Sequence, residues 1–518
     1  MPIDPKRAQR RERAYQRRHV LQMPAMGIES EFNVWIDGKE VTPEKFWKNP
    51  AGFIVDPMLK REGRSLQTRA GGAVYFDRGV IEVVTPLIEI APGCGARAVR
   101  SIWEQIGYVR TQLDAWEKKT DHHVRLRAYS THYNVSFDVP KWKQNRDRNI
   151  KRLALLLAYV LPIPVMLFGA NRRSTGIGVR PRGNRIEITA DFTPDPAMMI
   201  ATATLIVGIV REVISWPSYR LGLLRELPVP TIEGVIPGKH TTRKGWLTKD
   251  FHYPESPYAS DIDERIWKTR DGRTLSLRRI ALETVWFFRK SIRQMSDPFT
   301  HRLIFSILEG ATPSMLELDD RPKAYEDVGR LCSWGRVIDE LRDYRSMLEL
   351  PPLEREGSWQ DFVKKRDEER SRLLKNGLKA ALIKNGETST EDGKGIDAMN
   401  PAIPPRAPGA GQSLLPEGYL ERRRRPGPRT AQLQERRAVG ERRKKKAPTP
   451  FPDRRLKRSA YEQVFLRLVS GKKLRIGGQL FTPIGMKGWY HALFRCDSNG
   501  RQRLLTIDQL VKRMDDWV

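Results

Sequence analysis

The sequence predicts an α+β fold on three observations. Segments with a two-residue alternation and many β-branched or aromatic residues come first in the chain. Segments with helical periodicity lie between and after them. The two kinds do not alternate as they would in a parallel βαβ protein. The strands are expected at Gly27–Ile36, Val74–Pro86, Val124–Val139, Gly176–Val179 and Arg185–Ala190. The helices are expected at Ala98–Lys118, Asn149–Val160, Pro196–Ser215, Ser276–Gln294, Tyr325–Leu348 and Gln360–Lys384. Pro196 fits a first helical position because that residue needs no amide hydrogen, and Asp195 before it can cap the exposed amides. Leu153 to Ala170 carries no charge over 18 residues. Pro162 and Pro164 interrupt it, so it reads as a buried helix followed by an apolar strand or loop, and no membrane span is expected.

The 518 residues include 93 Lys and Arg against 62 Asp and Glu, a net charge of +31, and 39% are hydrophobic. That composition excludes both a membrane bundle and a wholly disordered chain. The positive excess sits at the ends: residues 401–518 hold 27 basic and 10 acidic side chains, and residues 1–20 are also basic. Affinity for polyanions is therefore expected mainly in the ends, and nonspecific nucleic-acid contact through the C-terminal region is one functional reading. Cys94, Cys332 and Cys496 are far apart and form no CxxC pair, which argues against a disulfide framework or a thiolate zinc site and favours a reducing cytoplasm. No apolar segment follows the basic N-terminus, so no secretory signal is expected.

Four regions follow: a basic arm over 1–22, a packed domain over 23–385, a linker over 386–457 and a small α+β module over 458–518. The linker composition of Pro, Gly, Glu and Arg cannot bury enough apolar area to offset chain entropy, so it is expected to be disordered. In the last module Leu474–Phe481 and Trp489–Phe494 read as strands and Asn499-Gly500 as a hairpin turn. Thr506 and Gln509 form a capping box ahead of a short helix.

Acidic residues stand where strands usually lack them. In Gly27–Trp35 the alternation places Ile28, Phe32 and Val34 on one face and Glu29, Glu31 and Asn33 on the other. Like charges one pleat apart repel, so a cation is expected to compensate them. In the second segment Tyr75 and Asp77 share a face. Glu82 follows a turn or bulge at Arg78-Gly79, among Val80, Ile81, Val83 and Val84. A carboxylate in so apolar a strand is costly unless paired or bound to metal, and oxygen ligands suit Mg²⁺ or Mn²⁺. The third segment puts Ser130, His132, Asn134 and Ser136 on one face. The fourth supplies Arg172, Arg173, Arg180, Arg182 and Arg185 ahead of Glu187, Thr189 and Asp191, the residue types that nucleotide phosphates require.

The run Met26–Phe32, then Tyr75-Phe76-Asp77 with Glu82 and Thr85, then His132-x-Asn134, then the arginine-bearing strand into Asp191, resembles the Pup ligase and Pup deamidase enzymes. These belong to the carboxylate-amine ligase superfamily with glutamine synthetase. The resemblance covers residues 23 to about 215. It implies a glutamine synthetase-like catalytic domain with a curved, mainly antiparallel sheet backed by helices. It implies that Glu29, Tyr75 and Glu82 bind magnesium, with Glu31 and His132 completing the metal set, that Asp77 is the catalytic base, and that Thr85, Arg182 and Arg185 bind ATP. The implied reaction joins a protein or peptide carboxylate, such as that of a small ubiquitin-like tag, to an amine through an acyl phosphate. Amide hydrolysis, as in the Pup deamidase, is the alternative on the same scaffold. The chain departs from the pattern at Ala73, where the family carries an arginine, at Tyr133 between His132 and Asn134, and in a spacing from Asp77 to Glu82 that is one residue shorter. The family's ATP-stacking tryptophan is not placed by the sequence; Trp334 and Trp359 are the candidates.

Overall fold

The computed structural model describes residues 21, 23–61, 65–136, 146–171, 174, 176–182, 185–240, 245–317 and 458–518. The arm apart from Leu21, the linker, both helices expected beyond residue 320, Arg172, Arg173, Cys332, Trp334 and Trp359 lie outside the described residues.

Twelve strands make one sheet: β1 Ala25–Ile36, β2 Lys39–Val41, β3 Leu59–Lys60, β4 Leu66–Gln67, β5 Ala73–Asp77, β6 Val80–Val84, β7 Ile88–Glu89, β8 Val124–Ser136, β9 Ile177–Pro181, β10 Arg185–Ala190, β11 Gly238–Lys239 and β12 Trp246–Thr248. Their order is β11-β12-β9-β10-β8-β1-β6-β5-β4-β3, with β2 and β7 also paired to β1, and every pairing is antiparallel. The fold is α+β, as the order of sequence periods predicts.

Strand β1 alternates as expected: Ile28, Phe32 and Val34 are fully buried, whereas Glu29, Glu31 and Asn33 are partly open. Burying each such apolar side chain contributes roughly 1.5–3 kcal/mol, which fixes the face as well as the strand. The long helix Cys94–Thr120 packs on β1 and β6, and the apolar helix Pro196–Ser215 packs on β8. Asp195 caps the latter, its carboxylate accepting from the amides of Ala197 and Met198 at 2.8 and 3.1 Å. By length and composition Pro196–Ser215 could cross a membrane, but most of its surface is buried against the rest of the protein.

Three expectations before residue 320 need correction. The single strand predicted over Val74–Pro86 is a hairpin, β5 and β6, joined by Arg78 (φ 50°) and Gly79 (φ 96°) in the two-residue left-handed turn that suits the twist of paired strands. The segment after Val160 is not a strand or loop but a second helix, Pro162–Gly169, bent 57° from Arg148–Val160; the prolines stand in its first turn, where a missing amide hydrogen costs nothing. The helix expected over Ser276–Gln294 divides into Leu277–Phe287 and Arg289–Met295.

The chain's C-terminal residues build a four-stranded antiparallel sheet, Leu474–Ile476, Gln479–Lys487, His491–Cys496 and Gln502–Thr506, with helices Ala460–Val469 and Ile507–Val511. The predicted Leu474–Phe481 strand is broken by Gly477 and Gly478, both at positive φ. Thr506 and Gln509 form the predicted capping box; Ser459 and Glu462 form another that carries the same sequence signature. This module shares a core with the main sheet: Ala25, Leu59 and Leu87 pack against Phe465, Phe494 and their neighbours. Arg458 pairs with Glu104 at 3.0 Å and Arg100 with Glu462 at 2.6 Å.

Candidate active site

Antiparallel register turns separate strands into cross-strand rows on one sheet face. Glu31 stands directly opposite Glu82 of β6 on one side and Ser130 of β8 on the other, and Glu82 stands opposite Tyr75 of β5. The next row runs from Glu29 to His132 and on to Thr189 and Gly178. The third joins Asn134, Glu187 and Arg180.

A β-bulge makes this face possible. The β1–β8 register shifts between Glu31 and Phe32, which leaves the exposed Tyr129 as the extra residue. Val124, Leu126 and Ala128 therefore enter the core, whereas Ser130, His132 and Asn134, of the same parity in sequence, face the carboxylates. Of the turn or bulge expected at Arg78-Gly79 the structure has the turn: the β5–β6 register is regular there, and the irregularity lies on β8 instead.

The carboxylate rows carry few compensating cations. His132 reaches Glu29 through Nδ1 at 3.4 Å and Glu31 through Nε2 at 3.8 Å, and the Ser130 hydroxyl donates to Glu31 at 2.6 Å. Burial disfavours charge on His132, but the Glu29 hydrogen bond and the Glu31 charge override it and raise its pKa. Burial likewise opposes ionisation of Glu29, and the hydrogen bond and charge of His132, with Arg185 and Arg182, outweigh it and lower the pKa. Glu82 has no such help. Burial first, then the Glu29 charge, push it up to about 8, against a hydrogen bond from Tyr75. Burial, then the charges of Glu29 and Glu82, hold the Tyr75 phenol well above its usual range. Asp77 is exposed at the end of β5, two residues along from Tyr75. Thr85 is buried, its hydroxyl accepts from the Ile28 amide at 3.0 Å, and a Cβ on Gly27, which shares the parity of Glu29 and Glu31, would lie 3.5 Å from that oxygen.

The other end of the face is cationic. The Arg182 Nε donates to Glu187 at 3.0 Å, Arg180 pairs with the same carboxylate, and the Arg185 Nε donates to Asn134 at 2.7 Å. Burial and the neighbouring Arg182 lower Arg180 to about 10, and burial with Arg185 lowers Arg182, so an added anion would be welcome here. Glu187, fully buried, is the residue that holds two of these guanidiniums; the strand alternation marked it without giving it this task. His240 was not legible at all. A Cβ at Gly178 would lie 3.2 Å from its ring, and burial with Arg180 lowers its pKa to about 4, which keeps it neutral.

The donor set fits a hard divalent cation in kind, since it offers carboxylates, a phenol and an imidazole, and the raised Glu82 is a carboxyl that a cation would ionise. Among the described residues, however, no three His, Cys, Asp or Glu side chains stand gathered as a metal site. The imidazole of His132 lies between Glu29 and Glu31.

No family model and no curated protein matches the sequence. Among solved structures, the crystal structure of the complex between prokaryotic ubiquitin-like protein Pup and its ligase PafA matches with a TM-score of 0.39 and 11% identity, over 95% of this chain and 92% of that one. A score of that size leaves the function to be argued from the strand register and the side chains.

Proposed function

We propose that the protein is an ATP- and Mg²⁺-dependent carboxylate-amine ligase that makes amide bonds, with a protein or peptide carboxylate as donor, such as that of a small ubiquitin-like tag. One observation carries the reading: a single sheet face holds Glu29, Glu31 and Glu82 at one end and Arg180, Arg182 and Arg185 at the other. A metal–triphosphate needs oxygen donors for its cation and guanidiniums for its phosphates, in adjacent places.

Glu29, Glu31, Glu82 and Tyr75 would hold the cation, which supplies charge neutralisation at the transferred phosphoryl group. Arg182 and Arg185 bind and orient the phosphates. The donor carboxylate oxygen attacks the γ-phosphorus, the bond to ADP breaks, and an acyl phosphate results. The amine nitrogen then attacks the acyl carbon and phosphate leaves. Asp77, open to solvent at the strand end, takes the proton that the amine must lose.

The test is to incubate the full chain with ATP, Mg²⁺, a glutamate-containing peptide and an amine. ADP should form in proportion to amide and only with both substrates present. Amide cleavage without stoichiometric ADP would point to hydrolysis instead, and no nucleotide binding with either Mg²⁺ or Mn²⁺ would end the ligase reading.

A further inference from the structure

The row that carries Tyr75, Glu82 and Glu31 continues outward to a residue that the motifs did not mark. Leu59 pairs with Gln67 and Lys60 with Leu66, and the Arg61 amide donates to the Ser65 carbonyl at 3.3 Å, so Arg61 stands opposite Ser65. Leu66 pairs with Val74, which by the same register sets Ser65 opposite Tyr75. Arg61 is therefore two strands from Tyr75 on the face of the carboxylates, a span that an arginine and a tyrosine can close between them. Its charge is felt at the Tyr75 phenol, where it opposes the upward push of Glu29 and Glu82.

Arg61 is held from the C-terminal module. Its guanidinium carbon lies 4.0 Å above the Trp489 ring, and Trp489 is itself wedged edge-on against Phe465 with ring centroids 5.4 Å apart. The backbones meet at the same place: Arg61 bridges to Met486, and Gly485 lies so close that a Cβ there would be 3.1 Å from the Lys60 carbonyl oxygen. Stacking engages the flat face of a guanidinium, whereas oxyanions are gripped at its N–H edge, so a ring beneath Arg61 orients it without competing for an anion.

We propose that Arg61 binds a phosphate of the nucleotide from the β3 side of the site, opposite Arg182 and Arg185, and that Trp489 is the positioning residue that holds it there. The C-terminal module is then a working part of the active site. This inference rests on the ligase reading above.

The measurement is calorimetric titration of the full chain with ATP and Mg²⁺, beside melting temperatures without nucleotide. Arg61→Ala should weaken binding about tenfold, the order of one charge-assisted contact, with melting little changed. Arg61→Lys, which keeps the charge but loses the planar fork, should fall between. Trp489→Phe should retain most of the affinity because a ring remains, and Trp489→Ala should approach Arg61→Ala. The double variant Arg61→Ala/Trp489→Ala should be no weaker than Arg61→Ala alone, since Trp489 acts through Arg61. Wild-type affinity in Arg61→Ala would overturn the assignment while leaving the ligase reading in place, and additive losses in the double variant would overturn the positioning role. A wild type that binds no nucleotide would overturn both.

Discussion

The two ends of one sheet face solve opposite electrostatic problems. On β9 and just after it the guanidiniums of Arg180 and Arg182 share a buried counter-ion, Glu187 of β10, and Arg185 is tied to Asn134. On β1 the carboxylates of Glu29 and Glu31 share one imidazole, and Glu82 on β6 is left to keep its proton up to about 8. The cationic end has a buried carboxylate of its own yet is still short of anions; the acidic end is short of cations. The difference teaches that a binding site can be recognised by what its residues lack, because uncompensated buried charge costs stability and persists where a ligand supplies the missing partner.

The largest test strikes at the acidic end. Asp77→Asn keeps the size of the side chain and removes its basicity, so amide formation should fall by about 10²- to 10⁴-fold while Mg²⁺-ATP binding in a titration stays unchanged. Full activity in that variant would remove Asp77 from the chemistry.

At the cationic end, Glu187→Ala should be the most damaging change to the fold, because it strands Arg180 and Arg182 beside one another. A loss of about 3 kcal/mol in urea unfolding is expected. Unchanged stability would mean that the guanidiniums are not held by Glu187 and that the contrast between the two ends is false.

Glu82→Gln should do the reverse. Glu82 has a folded pKa of about 8 against roughly 4.3 in an unfolded chain, so its contribution is fully present below pH ~4.3 and lost as the pH rises through about 8. In a chelator the variant should therefore match the wild type near pH 4 and melt higher near pH 9, by a few degrees if about 1 kcal/mol is relieved. It should also bind Mg²⁺-ATP more weakly. Parallel melting curves across that range would show that the acidic end is not strained. The smallest effect is expected from Ser130→Ala, which removes the 2.6 Å hydrogen bond to Glu31 and should cost about 1 kcal/mol by thermal unfolding.

Much of the site was legible as faces. The alternation over Gly27–Trp35 separates Glu29 and Glu31 from Ile28 and Phe32, and the structure keeps that separation because a one-residue slip would put the acids in the core. Strand β8 shows where such reading stops. Its even-numbered residues point into the core before Tyr129 and into the site after it, and nothing in the local pattern announces the bulge. The hairpin at Arg78-Gly79 was half legible, as a turn signal inside what otherwise reads as one continuous strand.

The sequence by itself determined which residues alternate, where Asp195, Pro196, Thr506 and Gln509 begin their helices, and that acidic and arginine-bearing strands both exist, because these depend on backbone geometry within a few residues. Only the tertiary structure decided that Glu31 faces Glu82, that His132 lies between Glu29 and Glu31, and that Trp489 comes under Arg61. Those pairings join segments distant along the chain, and their register is set by burial of the opposite face and by a core that the C-terminal module shares with the main sheet, which no local pattern encodes.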